Sequence, residues 1–155
     1  MALDDLYREV ILDHYSRPRN KGTIDDPDIK VEGANPLCGD ELSIHVKLAQ
    51  GQITDVKFVG RGCSISQASA SMMTEQIKGK TLNEAKELIG QFKSMMHGRP
   101  ANEDELGDLT ALQGVRKFPV RVKCATLSWV ALEQGVDEFQ GSHQKVVAKA
   151  STEAG

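Results

Sequence analysis

Alternating strands set between amphipathic helices predict an α+β fold for this chain of 155 residues. Strict apolar alternation over Leu42 to Ala49, and again over Ile53 to Val59, marks two half-buried strands. Apolar spacings of three and four before and after them mark helices. Turn and capping residues stand at the junctions: Gln50-Gly51 between the strands, and Thr81-Leu82-Asn83-Glu84, with the form of a capping box, ahead of a later helix.

Taken in order, Leu3, Leu6, Tyr7, Val10 and Ile11 give a first helix running to about Tyr15, where Ser16-Arg17-Pro18-Arg19-Asn20 stops it. Residues 21–28 read as a loop rich in Gly, Asp and Pro. Ile29 and Val31 begin a short edge strand before Gly33-Ala34-Asn35-Pro36. In the first long strand Leu42, Ile44, Val46 and Leu48 face one way and Ser43, His45, Lys47 and Ala49 the other. In the second, Val56 and Phe58 alternate with Asp55 and Lys57, giving an antiparallel hairpin that leads into Gly60-Arg61-Gly62-Cys63.

A helix follows from about Ser64 to Lys78, with Ile65, Ala68, Met72, Met73 and Ile77 on one side and Gly79 as its C-cap. The next carries Leu82, Ala85, Leu88, Ile89, Phe92 and Met96 until Gly98-Arg99-Pro100 breaks it. Residues 98–108 read as a polar, acidic surface connection and Leu109 to Val115 as a short helix before Phe118-Pro119. The last helix is expected to start near Cys124, with Leu127, Val130 and Ala131 on its inner face. One domain over residues 1–140 and a flexible tail over 141–155 complete the expectation.

Composition narrows the function. The net charge is −3, with 19 basic and 22 acidic residues spread along the chain and aromatics at 5 %, so there is no electrostatic footprint for nucleic acid. No apolar stretch approaches the roughly 18 residues of a membrane span. The acidic start Met1-Ala2-Leu3-Asp4-Asp5-Leu6 lacks the basic region and apolar run of a secretory signal, so a cytoplasmic location is expected. There, an odd cysteine count favours metal or sulfur chemistry over disulfides.

The three cysteines each stand beside a turn, glycine or helix-start signal: Cys38 in Pro36-Leu37-Cys38-Gly39-Asp40, Cys63 after Gly60-Arg61-Gly62, and Cys124 after Arg121-Val122-Lys123. A thiolate that holds a metal or attacks a sulfur benefits from backbone that bends and exposes it. Asp40 offers a fourth, harder ligand. Zinc is the first candidate for such a set and an iron-sulfur cluster the second. Cys63 and Cys124 are each expected near a helix N-terminus, which favours the thiolate; Cys38, on a loop, would be mobile enough to leave the metal and act as nucleophile. Three buried thiols without a metal are the plain alternative, because the ligands are separated by 24 and 60 intervening residues and need the fold to unite them.

Arg121 and Lys123 admit two readings: they offset the negative charge of the site, or they form the solvated side of a strand whose Val120 and Val122 point inward. His14, His45, His97 and His143 are expected to be surface or capping residues, and Met72, Met73, Met95 and Met96 to fill the core. Trp129 fits packing or an interface equally.

Asn35-Pro36-Leu37-Cys38-Gly39-Asp40, Gly60-Arg61-Gly62-Cys63-Ser64-Ile65-Ser66 and Arg121-Val122-Lys123-Cys124-Ala125-Thr126-Leu127-Ser128-Trp129 resemble the three signature segments of the U-type iron-sulfur cluster assembly proteins, the SufU/IscU family related to the N-terminal domain of NifU. Leu6-Tyr7-Arg8-Glu9-Val10-Ile11-Leu12-Asp13-His14 and Arg17-Pro18-Arg19-Asn20 match as well, so the resemblance spans about residues 3–135. The scaffold branch has a histidine before the third cysteine and a Leu-Pro-Pro-Val segment upstream. Here Lys123 takes the first place, and Phe118-Pro119-Val120 resembles the second only in part. With an insertion near Gly98 to Val115, the chain looks like the SufU branch, which binds zinc and accepts persulfide sulfur from a cysteine desulfurase of the SufS type.

The resemblance implies a SufE/NifU-like α+β fold: a small, mainly antiparallel three-stranded sheet, helices packed over one face, and the metal site at the sheet edge. It implies Cys38, Asp40, Cys63 and Cys124 as zinc ligands, Cys38 as the sulfur acceptor and Arg121 as an electrostatic partner in catalysis. The implied function is zinc-dependent sulfur transfer from the desulfurase, with other SUF assembly proteins as further partners. Two other functions stand beside it: a scaffold that binds a nascent iron-sulfur cluster and passes it on, and a purely structural zinc site in an interaction module.

Overall fold

The computed structural model describes the backbone of residues 3–37 and 39–151 and the side chains of residues 8–37 and 39–151. The side chains of Leu3, Leu6 and Tyr7, expected on the inner face of the first helix, and Cys38 lie outside the described residues. Helix α1 spans Leu3–Ser16, strand β1 Ile29–Asn35, β2 Asp40–Ala49 and β3 Gln52–Arg61. Then come helices α2 (Ser64–Ile77), α3 (Leu82–Met96) and α4 (Glu103–Leu106), a 3₁₀ segment Gly107–Lys117, α5 (Pro119–Ser142) and strand β4 (Val146–Ser151).

The β2–β3 hairpin forms where the alternation places it, turning through Gln50 at φ 54° and Gly51 at φ 76°. β1 pairs antiparallel with β2, and its last residue, Asn35, stands opposite Asp40, the first residue of β2. The expected three-stranded sheet gains a fourth strand: β4 runs parallel to β1, with Ile29 opposite Val146, in the order β3-β2-β1-β4. The sheet remains mainly antiparallel, but β1 is interior and not an edge, and Val146–Ser151, within the expected tail, form the outer strand. Val146 and Ala148 are buried there, while alternate residues face outward.

Helices cover the face that carries Ile29, Val31, Ile44, Val46, Val56 and Phe58. α5 lies so close to β1 that a Cβ on Gly135 would overlap Val31 Cγ2 and sit 2.6 Å from Ile29 Cγ2. A glycine on each element is what permits the approach: Gly33 of β1 faces Ala131 and Leu127 of α5, where a Cβ would stand 3.3 Å from each.

α2 is buried all along Ser66–Thr74, where the hydroxyls of Ser69, Ser71 and Thr74 are used as joints. Ser69 Oγ donates to Ala125 O (2.6 Å) and accepts from Trp129 Nε1 (3.0 Å). Thr74 Oγ1 accepts from Asn20 Nδ2 (3.1 Å), and Ser71 Oγ accepts from the Arg19 N–H (2.8 Å). The Arg17-Pro18-Arg19-Asn20 stop after α1 is therefore docked on α2. Trp129 is packing: it is fully buried and stacks on Phe92 with ring centroids 4.3 Å apart. The four core methionines are buried as expected.

The capping box of α3 is present, with Glu84 N–H to Thr81 Oγ1 at 3.1 Å and Thr81 N–H to Glu84 Oε1 at 2.9 Å. The insertion folds onto the core: Leu106, Leu109, Leu112 and Val115 are buried, and the 3₁₀ segment packs against α1 and α5. Two histidines cap helices, His97 after α3 and His143 after α5. The other two are buried and not on the surface. His45 Nδ1 lies 3.0 Å from the Ile24 N–H, and His14 Nδ1 lies 2.8 Å from Ser71 Oγ. Burial, then the nearby Arg19 guanidinium, hold the His14 pKa below its ordinary value, so the neutral ring is the favoured form.

Candidate metal centre

The start of β2, the start of α2 and the second turn of α5 meet at one end of the sheet. Asp40 opens β2 and is buried; its Oδ1 accepts a hydrogen bond of 2.8 Å from the Cys63 N–H, and its Oδ2 lies 3.8 Å from Cys63 Sγ. Cys63 is the N-cap residue of α2, at φ −70° and ψ 164°, as the glycines before it led one to expect.

Cys124 is placed differently from the expectation. α5 starts at Pro119, not near residue 124, because proline is pre-organised for the first helical position and lacks only a donor that has no helical partner there. Cys124 therefore belongs to the second turn, with its Sγ 3.7 Å from Val120 O. The helix-start argument does not apply to it, and the strand reading of Arg121 and Lys123 is replaced by a helical one. Arg121 is exposed, three residues before Cys124 on the same helix.

Ligand atoms of Asp40, Cys63 and Cys124 all lie within 4.8 Å of one another. A tetrahedral zinc with sulfur at about 2.3 Å and oxygen at about 2.0–2.2 Å separates its ligands by roughly 3.5–3.8 Å, so a small contraction closes these three around an ion. The donor set, two sulfurs and one carboxylate oxygen, suits zinc chemically. The wall is built tightly as well. Gly62, at φ 150°, presses on Asp40: a Cβ there would overlap the carboxylate oxygen Oδ1 and stand 2.9 Å from Ser66 Oγ. Cys38, the fourth expected ligand, lies outside the described residues and stands in sequence between Asn35 and Asp40, the pair that closes the β1–β2 connection. Gly39 beside it is at φ 71°.

Asn35 was not singled out by the sequence. It is fully buried, its Nδ2 lies 3.7 Å from Cys124 Sγ, and its Oδ1 has no hydrogen-bond partner among the described residues. The signal was available: residues 29, 31 and 33 face inward, so period-two counting puts the amide of 35 on the apolar side. None of the histidines joins the cluster among the described residues. Beside Ser64 opens a cleft of about 780 Å³ lined by Arg8, Ile65, Lys117, Phe118 and Arg121. Phe118, which lines it, is more than half exposed, as are Val120 in the first turn of α5 and Leu37, which precedes Cys38 in sequence.

A mainly antiparallel sheet with a Cys/Asp cluster that could hold a metal ion, set where the strand ends meet two helices, fits the class of iron-sulfur cluster assembly proteins. The model of the NifU-like N terminal domain matches residues 6–146, and the chain belongs to that family. It is 53 % identical to the zinc-dependent sulfurtransferase SufU of Bacillus subtilis (strain 168), over 91 % of this chain and 96 % of that protein. It is 44 % identical to the iron-sulfur cluster assembly scaffold protein IscU of Streptococcus pyogenes serotype M1, over 86 % and 84 %. The crystal structure of FiSufU from Fervidobacterium islandicum AW-1 superposes with a TM-score of 0.80 at 40 % identity, covering 83 % of this chain and 94 % of that one. Among the described residues no helix is long and apolar enough to cross a membrane.

Proposed function

We propose that this chain is a zinc-dependent sulfurtransferase of iron-sulfur cluster assembly that takes persulfide sulfur from a cysteine desulfurase of the SufS type. The observation that carries the reading is the convergence of Asp40, Cys63 and Cys124, with Asp40 two residues after Cys38 in sequence, in a chain 53 % identical over 91 % of its length to a zinc-dependent sulfurtransferase. Asp40, Cys63 and Cys124 would hold the metal together with Cys38. Zinc, when bound, supplies a cation that keeps thiolates deprotonated at neutral pH.

The protein's own part is positional. The Cys63 N–H fixes one carboxylate oxygen of Asp40, leaving Oδ2 turned toward the sulfurs. Cys63 and Cys124 belong to helices α2 and α5, and Cys38 is assigned the role of the sulfur acceptor. Its thiolate attacks the outer sulfur of the donor persulfide. A sulfur–sulfur bond forms on Cys38, the donor's sulfur–sulfur bond breaks, and the donor cysteine leaves as thiolate, so the count of electrons is unchanged. Arg121, exposed at the start of α5, is assigned to steady the negative charge carried by the two sulfurs in that exchange. The exposed Leu37, Phe118 and Val120 around the site suit a face on which the desulfurase, and other SUF assembly proteins after it, would seat.

Metal analysis of protein purified without added iron tests the reading. About one zinc per chain and no visible chromophore are expected, and Cys63→Ser and Cys124→Ser are expected to lose metal and stability together. Stoichiometric iron and sulfide in that sample would favour the scaffold function, with the cluster as cargo. Unchanged zinc affinity in both variants would remove them as ligands.

A further inference from the structure

We infer that Asn35 is a positioning residue of the metal centre: its side-chain amide donates to the Cys124 sulfur and tunes that sulfur as a metal ligand. The inference rests on the zinc reading above. Asn35 ends β1 on the inward register, opposite Asp40, so one backbone pair aims a ligand and a second side chain at the same pocket. Both residues are buried, and Nδ2 stands 3.7 Å from Cys124 Sγ, within hydrogen-bond reach for a sulfur acceptor.

The amide is poorly accounted for as a structural residue. Buried side-chain amides are normally satisfied at both ends, because an unpaired polar atom in the interior loses its hydration without replacement. Here Oδ1 has no hydrogen-bond partner among the described residues. An apolar side chain of similar volume would fill the same space without that loss. What the amide supplies is an N–H aimed at a sulfur, and such a donor matters most when the sulfur carries charge. Hydrogen bonds to ligand atoms from outside the coordination shell orient the ligand and adjust how much charge it passes to the metal.

The predicted signature separates a tuning role from a packing role. Asn35→Leu and Asn35→Ala are made in the full chain and loaded with Co²⁺ and, separately, Zn²⁺. In Asn35→Leu the melting temperature of the metal-free protein is expected to hold or rise. Zinc affinity, measured by chelator competition, is expected to fall about tenfold in both variants, the lower end of the effect of removing an outer-shell partner. The thiolate-to-cobalt charge-transfer band is expected to move to lower energy, because the sulfur lone pairs lose a donor. Wild-type protein gives an independent reading that does not depend on a variant folding. In the ¹¹³Cd-loaded form, the Asn35 side-chain protons should show scalar coupling to cadmium through Cys124. No coupling in wild type, or an unmoved band and unchanged zinc affinity in a folded variant, overturns the role of Asn35. Failure of wild-type protein to bind Co²⁺ or Zn²⁺ at all would instead overturn the zinc reading itself.

Discussion

Gly62→Ala is the most informative single change in the wall of the site. A Cβ at 62 would overlap Asp40 Oδ1, the atom that accepts the 2.8 Å hydrogen bond from Cys63 N–H, and would crowd Ser66 Oγ at 2.9 Å. The carboxylate must move, and the bond to an ionised acceptor is lost, which costs about 1.5–3 kcal/mol. The φ of 150° adds strain on the order of 1 kcal/mol for a residue with a Cβ. A total of about 3 kcal/mol corresponds to a fall of roughly 6–12 °C in the melting temperature of a domain this size. A double-mutant cycle isolates the cause. In an Asp40→Ala background the clashing carboxylate is gone, so Gly62→Ala should cost only the strain and the Ser66 contact, leaving a coupling of about 1.5–3 kcal/mol. The assay is urea unfolding of the four metal-free proteins. Additive effects, with a coupling below about 0.5 kcal/mol, would refute the claim that Gly62 is kept bare to seat Asp40.

Asp40→Ala removes the hard, charged ligand while leaving the thiolates; it is expected to slow release of bound metal to a chelator and to lower sulfur transfer roughly tenfold, about 1.4 kcal/mol in barrier. Unchanged release and transfer would place Asp40 outside the working site. His14 supplies a pH dependence away from the metal. Its folded pKa lies below 6.5, chiefly through burial and then Arg19, against the opposing charges of Glu75, Asp13 and Asp108. The unfolded chain therefore binds the proton more readily, and the stabilising contribution, complete above pH 6.5, is lost as pH falls toward the folded value. The metal-free protein should lose up to about 1.4 kcal/mol per pH unit from this group below pH 6.5. His14→Gln should flatten that slope, and an identical slope in the variant would show that His14 is not its source.

The hairpin, the α3 capping box and the N-terminal position of Cys63 were legible because local rules and the tertiary fold agree there. Period-two alternation, a capping box and a Gly-rich turn need no distant partner to be recognised. The start of α5 is not legible locally: Phe118-Pro119 reads as a break and Val120/Val122 as alternation, although Pro119 opens the helix, and the same pattern puts Cys124 at a helix N-terminus it does not occupy. β4 was missed because its strand character comes from pairing with β1, which a short Ala- and Lys-containing segment does not advertise. Burial of His14 was hidden for a similar reason: its partner Ser71 is 57 residues away in sequence. The cluster of Asp40, Cys63 and Cys124 was legible from flanking residues and family resemblance, and the inward side of Asn35 from period-two counting, whereas the approach of Asn35 to Cys124 and the contact of Gly62 with Asp40 exist only once three elements meet.

The central claim is that Cys38 receives the sulfur. Incubating the zinc-loaded protein with a cysteine desulfurase of the SufS type and cysteine, alkylating, and mapping peptides by mass spectrometry tests it directly. The account predicts one added sulfur atom on Cys38, and loss of desulfurase stimulation in Cys38→Ser with binding between the two proteins retained. Persulfide confined to Cys63 or Cys124, or full stimulation by Cys38→Ser, would contradict it.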